Sequence, residues 1–377
     1  MVRILHTADW QLGKQFENLE APSDKLAFLR QCRIDVVRRI GQLAIDHSVD
    51  AILVAGDVFE RNEVGDLLIR EALATMRQVN IPWLLLPGNH DPAGPASVWD
   101  RVERIGCPAH VHVLLSTEPV LLAGGGLAVL PAPLTRKHQF ADPTEGFSQQ
   151  VTSPTAVRVG LAHGSLRNRL APATEQHNMI SDTRADEGRL DYLALGDWHS
   201  CKEMAPRTYY AGTPEPDDFD QDSGAVLIVE LRGPGVAPVV ERVQVGHYGW
   251  HSLHAQLQSP GAVEQLKAHL ASVTQPLASA VVHMEVRGAV SLCERAAIDE
   301  ELANFEATVQ VMRVRTSDLV SSPTEDDLND LGRQGFVATV VERLRILEGD
   351  ATNPDSAFAR VALQRLYVEQ VLRGGRP

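Results

Sequence analysis

Cysteine is scarce in this chain, with four residues among 377 and no CxxC pair. That scarcity excludes a recognisable disulfide framework or cysteine-ligated zinc site and favours a reducing compartment. The chain also lacks an apolar run of about 18 residues, the length that a membrane-spanning helix needs. Its first residues lack the apolar core of a signal peptide. We therefore expect a soluble cytoplasmic protein with no membrane attachment.

Positive charge is in short supply as well. Lysine and arginine together number 35 against 49 aspartates and glutamates, which gives a formal net charge of -14. Such a surface repels polyanions, so a nucleic-acid substrate would need metal ions, local arginine and lysine clusters or a partner to supply positive charge. The composition, 44% hydrophobic, allows one large core and a second domain.

The sequence does contain several apolar runs that end in polar side chains. The clearest is Leu84–Leu86, which stops at a Pro-Gly turn and is followed by Asn89, His90 and Asp91. Such apolar runs are typical of strands buried on both faces. Because Asn, Gly and Asp are also common turn residues, this stretch gains significance only from other strand ends that resemble it.

Two earlier predicted strands end in the same way. Val2–Thr7 leads into a loop with Asp9 and Gln11, and Asp50–Ala55 is followed by Asp57. The alternation of strands and helices predicts a mostly parallel, layered sheet whose strand ends meet at one crevice. The amphipathic helices between the strands are predicted at Ser23–His47, capped by Ser23 and Asp24, and at Val64–Val79.

Two later predicted strands end in histidine. Ala156–Ala162 is followed by His163, and Leu190–Leu195 leads into a loop with Asp197 and His199. The spacing then predicts closing strands, and the Gly-Pro-Gly break at 233–235 predicts a hairpin.

We predict three parts, divided at Gly246 and after Ser322. Residues 1–245 form the domain with the strand-end residues, and 246–322 form a small β-α-β-α-β domain. Residues 323–377 form a helical tail, with helices at Asp326–Leu347 and Ser356–Leu372 that either pack on the body or dock a partner.

The strand ends together supply the ligands for a two-metal site. Two divalent ions about 3.5–4 Å apart need a bridging carboxylate together with oxygen and imidazole ligands. Such a pair can grip a phosphate and activate water. The candidate residues are Asp9, Gln11, Asp57, Asn89, His90, His163, Asp197 and His199.

The order and spacing of these motifs resemble the calcineurin-like metallophosphoesterases. Ile4–Asp9, Gly56–Phe59 and Ala211–Pro216 look most like the SbcD-type nucleases and their double-strand-break-repair relatives. The resemblance covers about the first 245 residues. It implies an α/β fold with a layered β-sandwich core, a small α/β capping domain and a helical C-terminal tail.

The resemblance also implies metal-binding roles. Asp57 would bridge both ions, Asp9 and His199 would bind the first, and Asn89 and His163 would bind the second.

Two further roles concern the chemistry on the phosphate. His90 would stabilise charge developing on the phosphate or protonate the leaving oxygen. Asp91 would orient His90.

The chain departs from the family pattern at two ligands, because Gln11 and Asp197 stand where the family has histidine. The neutral Gln11 amide should weaken the binding of the first ion. The Asp197 carboxylate should shift the second position towards Mn or Mg. We expect the site to bind two divalent ions, Mn or alternatively Mg. We also expect Mn-dependent activity to survive these two departures from the family pattern.

Other polar residues have simpler interpretations. His6 is predicted to be a core histidine, and Cys201 a buried thiol. The acidic run Asp217–Asp222 is predicted to be a solvated loop. The first helix is predicted to expose three arginines on its solvent-facing side, namely Arg33, Arg38 and Arg39.

The sequence as a whole indicates a metal-dependent DNA phosphodiesterase, an exonuclease or endonuclease of DNA repair. By resemblance, it would form a homodimer and work with an SbcC-like coiled-coil ATPase. One alternative is a phosphodiesterase for a small nucleotide or lipid-linked phosphate. The other is a weakly active structural subunit of an ATPase–DNA complex.

Overall fold

The computed structural model describes residues 1–167, 177–321 and 335–366, the last stretch without residues 351, 357, 360 and 364. The chain divides into two compact units, Met1–Trp250 and His251–Pro377. Within the described residues, no helix combines the length and the apolar content that crossing a bilayer requires. The cytoplasmic location stays a prediction.

Strands and helices alternate in the first part of the larger unit, and strands dominate the rest. In chain order the elements are β1 (Val2–Thr7), α1 (Ser23–Asp46), β2 (Ala51–Val54), α2 (Asp66–Met76), β3 (Trp83–Leu85), α3 (Val98–Ile105), β4 (Val111–Val113), β5 (Val120–Leu122), β6 (Leu127–Ala132), β7 (Val157–His163), β8 (Ser165–Leu166), β9 (Met179–Ile180), α4 (Arg184–Glu187), β10 (Tyr192–Gly196), β11 (Lys202–Ala205), β12 (Thr208–Tyr210), β13 (Ala225–Leu231) and β14 (Val239–Gln244).

Twelve of these strands form two six-stranded sheets, while β8 and β9 pair with each other in a separate two-stranded sheet. The first has the order β14-β13-β1-β2-β3-β4 and the second the order β11-β12-β10-β7-β6-β5. Strands β1 to β4 run parallel in the first sheet, and β12, β10, β7 and β6 run parallel in the second. The predicted hairpin is confirmed, because β13 and β14 pair antiparallel. Parallel strands of one sheet bring their carboxyl ends to the same edge, where sites form.

The two faces of the first sheet are buried in different layers. Ile4 and Leu53 belong to a cluster that includes Val159 of the second sheet. Leu5 and Ile52 belong to a cluster formed with the helices α1, α2 and α3. Burial on both faces explains why these strands are apolar throughout rather than alternating. The predicted layered β-sandwich core is therefore confirmed.

Helix α1 matches its predicted range to within one residue but begins differently. Pro22 occupies the N-cap position and no side chain caps the helix, so the predicted Ser23 cap is wrong. The helix buries one face, including Leu29 and Ile40. Arg38 is exposed on the opposite face, as expected.

The smaller unit has the predicted β-α-β-α-β order and its own apolar core. Its three strands pair in the order β15-β16-β17, with the last two parallel. The elements are β15 (Gly249–Gln258), which begins at the boundary, α5 (Ala262–Leu270), β16 (Ala280–Val290), α6 (Leu292–Glu306), β17 (Val311–Ser321) and α7 (Gly335–Gly349).

The predicted tail helices coincide only in part with the described residues. The first, at Asp326–Leu347, begins outside the described residues, and its later part corresponds to α7. Much of the second, at Ser356–Leu372, lies outside the described residues. The three-part division of the chain stays a prediction.

Candidate metal centre

The loops that follow β1, β2, β3 and β10 are joined by hydrogen bonds that backbone N–H groups donate to a carbonyl or a side-chain carboxylate. The Gln11 N–H donates to the Asp57 carbonyl at 2.8 Å. The His90 N–H donates to Asp57 Oδ1 at 2.9 Å. From the second sheet, the Asp197 N–H donates to Asp9 Oδ1 at 3.0 Å. Strand ends of both sheets therefore contribute to one site.

Four of the predicted ligands lie on backbone that L-residues rarely adopt. The φ angles are +53° at Asp9, +42° at Gln11, +52° at Asp57 and +100° at Asp197. Each such conformation costs about 1 kcal/mol or more and persists only where surrounding contacts enforce it. Such strain is concentrated at functional sites, so its presence on four converging loops supports a site here.

Two glycines allow the site residues to approach each other. A Cβ added to Gly88 would lie 2.1 Å from Asp57 Oδ1, and one added to Gly56 would lie 2.1 Å from His163 Nδ1. Neither position can accept a side chain unless the site residue moves. The glycines in the motifs at residues 56–57 and 88–91 therefore make room for Asp57 and His163.

Asp9, Asp57 and His163 form the buried centre of the site, with ligand atoms that all lie within 4.8 Å of one another. His163 Nε2 lies 3.5 Å from Asp57 Oδ1 and 3.8 Å from Asp197 Oδ1. His163 Nδ1 lies 2.8 Å from the Ala55 carbonyl, which fixes the ring. The predicted central ligands are thus brought together by two different sheets.

The charges at this centre strongly perturb its titratable groups. Burial alone would lower the pKa of His163, but the carboxylates of Asp57, Asp9 and Asp197 raise that pKa to about 9. Burial raises the pKa of Asp9 to about 6, against the opposing effects of His199 and His163. Carboxylates held together away from water require a positive partner, and a divalent cation meets that requirement.

The Asn89 amide lies against the same centre. In one orientation its nitrogen donates to Asp57 Oδ1 at 3.3 Å and Oδ2 at 3.2 Å. In the other, Oδ1 lies 2.7 Å from His163 Nε2. The amide can therefore present the oxygen that a hard cation prefers.

Asp197 joins this side of the site. Its Oδ2 accepts a hydrogen bond from Ser165 Oγ at 2.6 Å, and its side chain is 23% exposed. Asp197 therefore lies beside His163, and its assignment to the second ion stays a prediction.

His199 has a partner that the sequence patterns did not predict. His199 Nδ1 lies 3.1 Å from Asp217 Oδ1, and the Asp217 side chain is fully buried. Burial would lower the pKa of His199, but Asp217 raises it to about 9. Because Asp217 accepts the Nδ1 proton, Nε2 is the nitrogen that a metal ion would take on displacing the second ring proton, an arrangement typical of metal-binding imidazoles.

The predictions of a solvent-facing Arg33 and a solvated Asp217 are wrong. The Arg33 side chain is 1% exposed, and its Nη2 donates to Asp217 Oδ2 at 3.0 Å. Its other nitrogens donate to the carbonyls of Glu215 at 3.0 Å and Trp10 at 2.9 Å. Although burial opposes it, His199 and Arg33 hold the pKa of Asp217 well below its usual range. Only the folded chain joins these residues, which are 184 positions apart.

Gln11 is buried, and its amide oxygen has a cationic partner. Gln11 Oε1 accepts a hydrogen bond from Lys14 Nζ at 3.0 Å. The same ammonium donates to Asp217 Oδ2 at 2.6 Å. The assignment of Gln11 as a ligand of the first ion stays a prediction.

His90 and Asp91 have partners other than each other. His90 Nδ1 lies 2.9 Å from the Glu60 carbonyl. The Asp91 carboxylate accepts from the Gly88 N–H at 2.7 Å and the Phe59 N–H at 2.9 Å. The prediction that Asp91 orients the His90 ring is therefore wrong, since Glu60 holds the ring. Asp91, whose pKa burial raises to about 7, instead ties the β2 loop to the β3 loop.

His6 and Cys201 lie outside this set. His6 is fully buried, with Nδ1 2.9 Å from the Tyr192 hydroxyl and Nε2 3.1 Å from the Leu195 carbonyl, so its assignment to the core is confirmed. Cys201 is half-buried and packs against the cluster between the sheets.

The residues at this centre fit divalent metal ions. The carboxylates of Asp9, Asp57 and Asp197 supply hard oxygen ligands, while His163 and Asn89 add an imidazole and an amide oxygen. Mixed oxygen and nitrogen sets of this kind suit Mn²⁺ and related ions.

A family model described as calcineurin-like phosphoesterase matches residues 2–229 of this chain. The SbcD subunit of the SbcCD nuclease of Bacillus subtilis is 31% identical over 271 residues, which are 62% of this chain and 67% of that protein. Its counterpart in the SbcCD nuclease of Escherichia coli K12 is 30% identical over 323 residues, 73% of each chain. The DNA double-strand break repair protein Mre11 of Haloferax volcanii is 25% identical over 307 residues, 79% of this chain and 64% of that protein.

Proposed function

The chain belongs to the calcineurin-like phosphoesterase family, and we propose that it is a metal-dependent nuclease that hydrolyses DNA phosphodiester bonds. The buried cluster of Asp9, Asp57 and His163 carries the proposal, because its ligand atoms lie within 4.8 Å of one another. The nuclease names of the similar proteins support DNA as the substrate.

In this proposal the site holds two divalent ions, Mn²⁺ by first choice and Mg²⁺ as the alternative. Such ions grip a phosphate and lower the pKa of water for in-line attack. Asp57, at the centre of the cluster, would contact both. The remaining ligands would be Asp9, Gln11 and His199 at the first position, and Asn89, His163 and Asp197 at the second.

His90 is suited to act on the substrate rather than on a metal. Its backbone N–H is anchored to Asp57 Oδ1 and its Nδ1 faces the Glu60 carbonyl, so Nδ1 carries the proton that this carbonyl accepts. Nε2 is then the nitrogen left for the substrate, and in the doubly protonated ring its N–H would donate to a phosphate oxygen or protonate the leaving oxygen. The ring is half-buried, which leaves it accessible to a substrate.

An exposed tryptophan beside the metal ligands supports a nucleic-acid substrate. Trp198 lies between Asp197 and His199 in the chain and is 37% exposed. Lys202 Nζ lies 5.9 Å from the centre of its ring. An exposed aromatic side chain near a cation is a suitable platform for an unpaired base, and each stacked base contributes about 1–3 kcal/mol. We therefore include stacking on Trp198 in the proposal.

The proposed assembly includes a partner. The names of two similar proteins describe a subunit of a nuclease complex. Since this chain carries a net charge of -14, a partner would help to bring positive charge to DNA. We propose that the chain forms a homodimer and that its partner is an SbcC-like coiled-coil ATPase.

The test is a Mn²⁺ and Mg²⁺ titration of the full chain with single-stranded DNA and with bis(p-nitrophenyl) phosphate. We expect hydrolysis of both. Trp198→Ala should lower cleavage of single-stranded DNA about tenfold, as the loss of one stacked base predicts, and Trp198→Phe should restore most of it. Leu121→Ala, which removes an exposed side chain at a strand of the second sheet, serves as the control and should change nothing.

Other results would redirect the proposal. Hydrolysis of the small diester alone would favour a phosphodiesterase for small nucleotides or lipid-linked phosphates. A DNA-repair phenotype that survives Asp57→Asn in cells would favour a structural subunit. If neither metal supported hydrolysis of either substrate, with or without an ATPase partner, the nuclease proposal would fail.

A further inference from the structure

Lys14 connects two residues that the proposed function assigns to the first metal position. Its Nζ lies 3.0 Å from Gln11 Oε1 and 2.6 Å from Asp217 Oδ2. The Asp217 carboxylate in turn lies 3.1 Å from His199 Nδ1. The contacts therefore run from Gln11 through Lys14 and Asp217 to His199.

The network is buried enough for its charges to matter. The Lys14 side chain is 22% exposed, and those of Asp217 and Arg33 are 0% and 1% exposed. Arg33 shares the same Asp217 oxygen with Lys14. Two cations thus face one carboxylate on this side of the site, whereas His163 is surrounded by carboxylates.

An ammonium and a divalent ion on the same amide oxygen repel each other. At the partly buried position of Lys14, water screens such repulsion only in part. A Gln11 oxygen that accepts a hydrogen bond from Lys14 is therefore a poor metal ligand, although the backbone of Gln11 places this side chain in the site.

We propose that Lys14 is a positioning residue that weakens the first metal position by holding the Gln11 oxygen and placing its own charge beside the ion. The inference rests on the two-metal site of the proposed function. It predicts two unequal classes of metal site, the weaker one on the His199 side.

The test measures Mn²⁺ binding to the metal-stripped full chain by titration calorimetry and by the electron paramagnetic resonance of free Mn²⁺. Lys14→Met keeps the length of the side chain and removes its charge, while Arg33 still pairs with Asp217. We expect the weaker class of site to bind about tenfold more tightly in this variant and the tighter class to be unchanged. Lys14→Arg restores the charge and should return the weaker class to about its original affinity.

A double variant tests the role of the Gln11 oxygen. In Gln11→Ala combined with Lys14→Met, the tightening should be clearly smaller than in Lys14→Met alone, since the released oxygen is missing. Thermal unfolding of each stripped variant establishes that the chain is folded.

Three results would overturn the inference. They are unchanged or weaker Mn²⁺ binding in Lys14→Met, a single class of metal site in the parent chain, and full tightening in the double variant. Because no substrate is present, these outcomes are independent of whether the chain cleaves DNA.

Discussion

His6 lies in β1 of the first sheet and His163 in β7 of the second, and both are completely buried, yet their pKa values shift in opposite directions. His6 lies within β1 against the Tyr192 hydroxyl and the Leu195 carbonyl, and burial lowers its pKa to about 3. His163 ends β7 among carboxylates, which overcome the effect of burial and raise its pKa to about 9. Since both rings are buried, the charges of their neighbours account for the opposite pKa shifts. Those charges distinguish the interior of β1 from the end of β7, where the site forms.

The largest expected effect comes from making the surroundings of His163 less negative. Asp57→Asn removes the nearest of its carboxylates, at 3.5 Å, and with it the proposed bridge between ions. We expect hydrolysis of bis(p-nitrophenyl) phosphate to fall on the order of a thousandfold or more. The measurement is kcat/KM in saturating Mn²⁺.

Asp100→Asn is the matched control, since this carboxylate is exposed on α3, and it should retain parent activity. A loss below about tenfold in Asp57→Asn would contradict the central role of Asp57.

The sequence predicted the elements and the strand ends because both leave local patterns. Apolar runs followed by Gly-Asp or Gly-Asn-His-Asp identify where β2 and β3 deliver side chains. The contact between Arg33 and Asp217 leaves no such pattern, because it joins positions 184 apart and each residue alone is expected to face solvent. The same holds for the contact between His90 and Glu60, which uses a backbone carbonyl that any residue provides.

A smaller effect is expected at the other histidine whose pKa is raised, His199. Asp217→Asn keeps the shape of its partner but removes the charge that raises the His199 pKa. Loss of such an outer carboxylate typically costs about 10- to 100-fold in metal affinity. We expect that loss in the weaker class of Mn²⁺ site, measured by calorimetry.

Asp222→Asn is the control from the same acidic run, since its side chain is 67% exposed, and it should bind Mn²⁺ normally. Equal affinity in Asp217→Asn and the parent chain would mean that His199 does not depend on this carboxylate.

The smallest effect, absent at neutral pH, concerns His6 itself. Its folded pKa of about 3 lies below the unfolded value of about 6.5, so the unfolded state binds the proton first. Stability from the neutral ring is therefore present above about pH 6.5 and is lost as pH falls towards 3. Between pH 6.5 and 4.5 the parent chain should lose about 2 kcal/mol more unfolding free energy than His6→Gln, which cannot take up this proton.

Denaturant unfolding in EDTA measures this difference in unfolding free energy. Since all other groups titrate in both chains, the difference isolates the contribution of His6. The exposed His138→Gln should follow the parent curve, and parallel curves for His6→Gln and the parent would refute the assignment of a depressed pKa to the strand interior.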